Sequence, residues 1–303
     1  MQSQPTQAAT LMRRATYASV SVAAVLIVVK ALAFSLTGSV SLLATLIDSS
    51  LDLLASLVNL FAIRHALTPA DHEHRFGHGK AEALAGLGQS LLVAGSAIFL
   101  VVESSRRLQD PAPLDAWLPG VAVMVFATAL TLALVMYQRY VLARVDSTAI
   151  SADSLHYRAD LLMNIGVIAA LCLSTWGWPG FDAVIALFIA VYILASISDV
   201  LRQSLDHLMD RELPDSQRDE VERLVLAHSD VRGMHDLRSR RSGTRRFLQL
   251  HLELDDDLSL FRAHAIADEV ELALLQAFPD AEILIHIDPV SVSPDGAVPP
   301  FDR

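Results

Sequence analysis

Two residue pairs combine acid–base and metal-ligand chemistry at helical spacing. Asp48 and Asp52 stand four apart, so on a helix they share one face. His156 and Asp160 repeat that spacing in another apolar stretch. Carboxylates at bilayer depth are costly unless a cation or protons neutralise them. If the two faces meet, Asp48, Asp52, His156 and Asp160 form a four-ligand set able to make a tetrahedral site. Imidazole mixed with carboxylate suits zinc-like divalent ions. The competing reading is a helix-end pair facing water, or carboxylates buried in protonated form. Two separate pairs at one spacing in apolar helices weigh against it.

Two further groups carry histidine. Residues 71–78 read Asp-His-Glu-His-Arg-Phe-Gly-His, three histidines and two acids in eight positions. That density fits a metal-binding tract, and a solvated polar loop has the same composition. Its place at the mouth of a path through the apolar region favours the first. Nearer the C-terminus come His235, His251, His264, His286 and Asp288. His286 and Asp288 are two apart, so on a strand they face one side. His251 could be their cross-strand neighbour, and ordinary surface histidines are the alternative. His65, His207 and His228 show no partner pattern and read as structural. The single cysteine, Cys172, lies in an apolar run and cannot form an intrachain disulfide. Any metal site must therefore use His and carboxylates.

Composition defines the elements that position these groups. The chain has 303 residues, 53% hydrophobic and 19% charged, with net charge −11. Its mean hydropathy is +0.42. A soluble domain carries roughly 25% charged residues, so composition rules out a disordered chain and argues against an ordinary soluble enzyme. The charge is uneven. Residues 1–208 hold 12 Lys+Arg and 14 Asp+Glu, a balance of −2, while 209–303 hold 11 and 20, a balance of −9. This reads as a membrane domain over 1–208, an aqueous domain over 209–291 and a flexible tail over 292–303. The acidic third disfavours nucleic acid and anionic lipid as its own partners and suits cations.

Six apolar stretches approach or exceed the bilayer-spanning length of about 20 residues. They cover roughly 14–36, 40–65, 82–106, 116–142, 149–173 and 182–207. Breaks follow at Thr37-Gly38, Thr68-Pro69, Asp110–Pro113 and Trp176–Gly180. Arg13-Arg14 with the run up to Ala31-Leu32-Ala33 also resembles a cleaved signal peptide. The length of the run and the five further spans favour a retained helix. Arg13, Arg14, Arg64, Arg75, Lys80, Arg139 and Arg144 fall on one side and only Arg106 and Arg107 on the other, which predicts cytoplasmic termini. Lys30 either snorkels or faces the bundle interior, and Trp176 and Trp178 suit the outer interface. Beyond 209, the pattern predicts a helix over 214–228, strands over 231–242 and 245–254, a helix over 260–278 capped by Ser259, and a strand over 281–288. That order is a small open-faced α+β sandwich.

The residues together resemble the cation diffusion facilitator family, closest to its bacterial zinc/ferrous-iron efflux branch. The resemblance covers about residues 10–290. It rests on Asp48-x3-Asp52, Pro69-Ala70-Asp71, Phe76-Gly77-His78-Gly79-Lys80-Ala81-Glu82, His156-Tyr157-x2-Asp160 and His286-Ile287-Asp288-Pro289. It implies a transport site of Asp48, Asp52, His156 and Asp160, a loop site of Asp71, His74 and His78, and a cytoplasmic cluster of His235, His251, His264, His286 and Asp288. His72 and Glu73 fall outside the pattern, and Ile287 is apolar where relatives often carry a polar residue. It also implies a Lys80–Asp210 salt bridge between the domains, a metallochaperone-like fold for the αββαβ domain, and a homodimer in the bacterial inner membrane.

The expected function is efflux of Zn²⁺, with Cd²⁺ or Fe²⁺ as alternatives, against entering protons. Metal binding needs neutral imidazole and ionised carboxylates, so metal and protons compete. His156 is the expected proton carrier, because imidazole titrates near working pH. A membrane metal sensor needs no charge at bilayer depth. An intramembrane metallohydrolase would need an HExxH helix, which the chain lacks.

Overall fold

A computed structural model describes residues 3–37, 40–109, 118–174 and 181–292. The breaks at Gly38, Asp110–Pro113 and Trp176–Gly180, both tryptophans among them, lie outside the described residues. So do the tail beyond Val292 and the side chain of Cys172. The chain divides into two compact units, Met1–Leu205 and Asp206–Arg303.

Among the described residues, the first unit holds six helices: α1 (Ser3–Thr37), α2 (Val40–Ala66), α3 (Lys80–Gln109), α4 (Leu118–Leu142), α5 (Thr148–Ser174) and α6 (Phe181–Leu208), the last running into the second unit. Among the described residues, five of these helices are long and apolar enough to cross a membrane. In α5 the described side chains end at Gly166, and that stretch carries Asp153, His156, Arg158 and Asp160. Five of the six expected spans are thus matched among the described residues.

Packing in this unit inverts the pattern of a soluble protein. Buried positions include many small and polar side chains such as Ala15, Ala23, Ser19, Ser56, Ala97 and Ala152. Large apolar side chains such as Leu36, Phe99 and Phe188 point outward. Small residues let helices approach closely in lipid, where hydrocarbon rather than water covers the outer face. One buried cluster joins Met12 of α1, Ile63 of α2, Val141 of α4 and Ile150 of α5. A second joins Val93 of α3, Leu155 of α5 and Ile193 of α6.

The second unit contains α7 (Asp215–Leu226), β1 (Gly233–Ser242), β2 (Arg245–Leu254), α8 (Leu260–Ala277) and β3 (Ala281–Pro289). The strands form one sheet in the order β1-β2-β3, antiparallel then parallel. Gly243, at φ 59, makes the β1–β2 turn. The crossover helix α8 starts at Ser259, whose hydroxyl accepts from the Arg262 N–H. Leu248, Leu250, Leu252 and Leu254 alternate along β2 and pack against Val221, Val225, Ile266, Val270 and Leu274 of the helices. Both helices thus cover one face. The opposite face carries Gln249, His251 and Glu253 of β2, the alternate positions.

A β-bulge in β1 shapes that face. His235 pairs with His251, but the next registered pair is Arg238 with Gln249. Three steps along β1 match two along β2, so one extra residue is accommodated. Asp236 adopts φ 47 there, a left-handed conformation that Asp tolerates better than most residues.

Candidate functional site

In the first unit, α2 and α5 bring their polar faces together. His156 Nε2 lies 2.9 Å from Asp52 Oδ1 and 3.8 Å from Asp160 Oδ2. Asp52, His156 and Asp160 each offer a ligand atom, and these lie within 4.8 Å of one another. Asp52 is 8% exposed, so water cannot offset much of its charge. Asp48, one turn earlier, lines the same cavity of about 270 Å³ but is not in the group of three. Lys30 lines that cavity too. Its ammonium donates to Ser49 Oγ at 2.6 Å and to the Thr45 carbonyl at 3.1 Å, so it faces α2. A larger cavity of about 760 Å³ is lined by Asp48, Asp52 and His156 at one end, and by Asn59, Ala62 and Ala81 toward the α2–α3 loop.

The rotation of α5 is held by buried hydrogen bonds. Asp153, 1% exposed, accepts from Ser19 Oγ of α1 at 2.6 Å, Gln138 Nε2 of α4 at 2.7 Å and Gln89 Nε2 of α3 at 3.0 Å. The hydroxyls of Tyr157 and Ser56 meet at 2.8 Å, which ties α5 to α2. These contacts bracket His156 on its own helix.

The α2–α3 loop folds around Asp71. Its carboxylate accepts from the backbone N–H groups of Glu73 at 2.9 Å and His74 at 2.6 Å. Those bonds, that from His74 foremost, hold its carboxyl below the usual carboxylate range. His74 Nδ1 and His78 Nε2 stand 3.4 and 3.3 Å from its two oxygens. Asp71, His74 and His78 could therefore share an ion. His78 Nδ1 lies 3.0 Å from Thr68 Oγ1, which orients the ring. His65 stacks edge-on against His78, with ring centroids 4.5 Å apart.

In the second unit, register assembles the cluster. The three histidines occupy one rung, since His235 pairs with His251 and His251 with His286. Asp288 Oδ2 lies 2.7 Å from His251 Nδ1 and 3.4 Å from His235 Nε2, while its Oδ1 lies 3.2 Å from His286 Nε2. His235, His251 and Asp288 have ligand atoms close enough for one ion. Glu253 Oε1 takes the other side of His235, 2.7 Å from Nδ1. The bulge aims Asp236 inward, 3.9 Å from His251 Nε2.

Two family models match most of this chain: one described as the cation efflux transmembrane domain over residues 16–209, one as the cation efflux protein cytoplasmic domain over 213–290. The chain belongs to the cation diffusion facilitator family. It is 47% identical over 293 residues to the cation-efflux pump FieF of Klebsiella pneumoniae subsp. pneumoniae, covering 97% of this chain and 98% of that one. The FieF pump of Serratia proteamaculans is 48% identical over 290 residues, covering 96% and 97%. The metal-bound C-terminal domain of the CzcD transporter from Thermotoga maritima is 26% identical, covering 26% of this chain and 93% of that one, with a TM-score of 0.25. Cation efflux is thus the family's work, and the chain is a membrane-integral member with a helical membrane domain and a small cytoplasmic α+β domain.

Within this family frame, the expected residues fall unevenly. Asp52, His156 and Asp160 come together, as do Asp71, His74 and His78, and His235, His251, His286 and Asp288. His264 does not reach its expected cluster within one chain; it lies 3.6 Å from Asp268 on the exposed side of α8. His72 and Glu73 stay exposed outside the loop group. Lys80 opens α3, and the Asp210 carboxylate lies 3.3 Å from Arg240. Sequence reasoning passed over Asp153, Asp236 and Glu253, and read as structural the His65 that stacks on His78. An acid inside an apolar run three residues before His156 was a usable signal for Asp153. His228, read as structural, pairs with Glu269 at 3.0 Å and fits that role.

Proposed function

We propose that the protein exports a divalent metal cation from the cytoplasm in exchange for protons. Zinc is the first candidate, with cadmium and ferrous iron as alternatives. The observation that carries this reading is the Asp52–His156–Asp160 group, whose ligand atoms lie within 4.8 Å of one another between apolar helices. Ionisable groups at such depth mark ion and proton pathways. Asp48 serves as the fourth ligand, from its position on the same cavity wall. The donor set of one imidazole and three carboxylates favours zinc-like ions over manganese.

The residues act as follows. Asp52 and Asp160 bind the ion as carboxylates, and His156 binds it through a neutral nitrogen. Proton uptake by His156 and its carboxylate partners removes those donors, so the ion leaves as protons enter. Alternating access separates the two events. The larger cavity supplies ions from the α2–α3 loop end, where Asp71, His74 and His78 would hold one in passage. In this reading α5 is a sixth span, both termini are cytoplasmic, and the membrane is the bacterial inner membrane. The second-unit residues His235, His251, His286 and Asp288 would hold a structural ion, with His264 contributed across a homodimer.

Zinc flux into proteoliposomes tests the reading. Asp52→Ala abolishes flux, and His156→Ala flattens its pH dependence. Undiminished flux in Asp52→Ala overturns the site assignment. Metal binding with no flux in the native chain would favour a sensor.

A further inference from the structure

Arg158 sits midway between His156 and Asp160 in sequence, yet it turns away from both. Two positions along a helix rotate a side chain by about 200°. Arg158 accordingly lines a groove of about 370 Å³ between α4, α5 and α6. Arg139 of α4 lines the same groove, with Leu132, Met136, Phe188 and Tyr192. The Arg158 guanidinium donates to the Tyr192 hydroxyl at 2.5 Å. Among the described residues, neither arginine forms an ion pair with a carboxylate.

The groove faces outward. Phe188 is 73% exposed and Met136 is 62% exposed, on helices whose outer faces meet hydrocarbon. Two guanidiniums on such a surface are costly unless an anion meets them. Their depths suit a headgroup. Arg139 stands three residues before the end of α4, and Arg158 ten after the start of α5. At 1.5 Å per residue these lie about 5 and 15 Å from the helix ends that share the α4–α5 loop. Long arginine stems extend toward the interface and close the difference. Below them, Leu132, Met136 and Phe188 offer an apolar wall to an acyl chain.

We infer that this groove binds an anionic phospholipid, its phosphate on Arg139 and Arg158 and one acyl chain against Leu132, Met136 and Phe188. A guanidinium pairs with phosphate by two parallel hydrogen bonds, and basic pockets between membrane helices hold anionic headgroups. A zwitterionic lipid brings its own cation and loses most of this attraction. The site requires only the membrane-spanning helices, and its ligand does not depend on the metal sites.

The test uses the purified full-length protein, delipidated in detergent. Bound lipid is counted by native mass spectrometry during titration with phosphatidylglycerol or phosphatidylcholine of matched chains, and with inorganic phosphate alone. The native protein should retain phosphatidylglycerol preferentially, and Arg139→Gln and Arg158→Gln should each weaken that retention about fivefold. Arg158→Lys, which keeps the charge, should keep most of the preference and controls for misfolding. Equal retention of the two lipids by the native protein overturns the inference. So does a preference that both Gln variants preserve, or inorganic phosphate binding as well as the lipid does. Loss of self-association in the Gln variants with lipid binding unchanged would mean that a second copy of the chain fills the groove.

Discussion

Single side chains decide how well the ligands are aimed. The Glu253 carboxylate holds His235 Nδ1 at 2.7 Å, which turns Nε2 toward Asp288. Gly233, opposite Glu253 on the neighbouring strand, leaves room for that carboxylate, because a Cβ there would collide with it. Carboxylates that orient a ligating histidine typically change metal affinity by about 10- to 100-fold. Glu253→Gln should therefore weaken zinc binding at the second-unit cluster about tenfold, and Gly233→Ala should do the same in calorimetric titrations of the full-length protein. Native affinity in both variants would remove the orienting role. Asp71 gives a pH signature. Its folded carboxyl is held low by the His74 and Glu73 N–H groups. A depressed folded value means the stabilisation is complete above the unfolded value of about 3.9 and is lost as pH falls through the folded one. The Asp71 carboxyl resonance should titrate below the ordinary carboxylate range, and a midpoint at or above about 3.9 would contradict this turn geometry. Residue types marked most of these candidate ligands in advance. Asp236 and Glu253 were not, because an acid in a polar strand acquires meaning only when register puts a histidine beside it.

Helices and strands were legible where their period was strong. The apolar runs and the alternation of Leu248 to Leu254 mark their elements directly. The bulge at Asp236 was hidden, since one extra residue shows only against its partner strand. A strict period of two would have put His235 and Arg238 on opposite faces. In α5 the polar residues Asp153, His156, Arg158 and Asp160 crowd the first half of the helix. Its alignment depends on Asp153, which gathers donors from α1, α3 and α4. A buried donor left without a partner costs about 1–3 kcal/mol in protein interiors, and measured membrane hydrogen bonds average about 0.6 kcal/mol. Asp153→Ala should lower the melting temperature of the membrane unit, with Asp153→Asn, which keeps one acceptor oxygen, in between. Scanning fluorimetry that finds all three alike would mean the network does not hold α5.

At the scale of the whole molecule, composition divides the labour. A nearly neutral unit holds a few costly charges between helices, and an acidic unit carries most of the net −11. The sum alone concealed this, since Asp52 and Asp160 count no more in it than any surface acid. A metal that binds the folded second unit and not the unfolded one stabilises it by about 2.7 kcal/mol at one hundred times its dissociation constant. Zinc should raise this unit's thermal transition over a chelated sample, and His251→Ala should abolish that rise. The rung of histidines has a further consequence, for the order of events in folding. His235 and His251 belong to one hairpin closed by the turn at Gly243, a local contact that should form early. His286 and Asp288 arrive only after α8 has crossed over and β3 has docked in parallel. The ion can therefore grip little in the transition state, so it acts on the unfolding rate far more than on the folding rate. If the cluster holds its proposed ion, metal should act as a latch fastened after assembly, whose removal shortens the lifetime of the fold without slowing its formation.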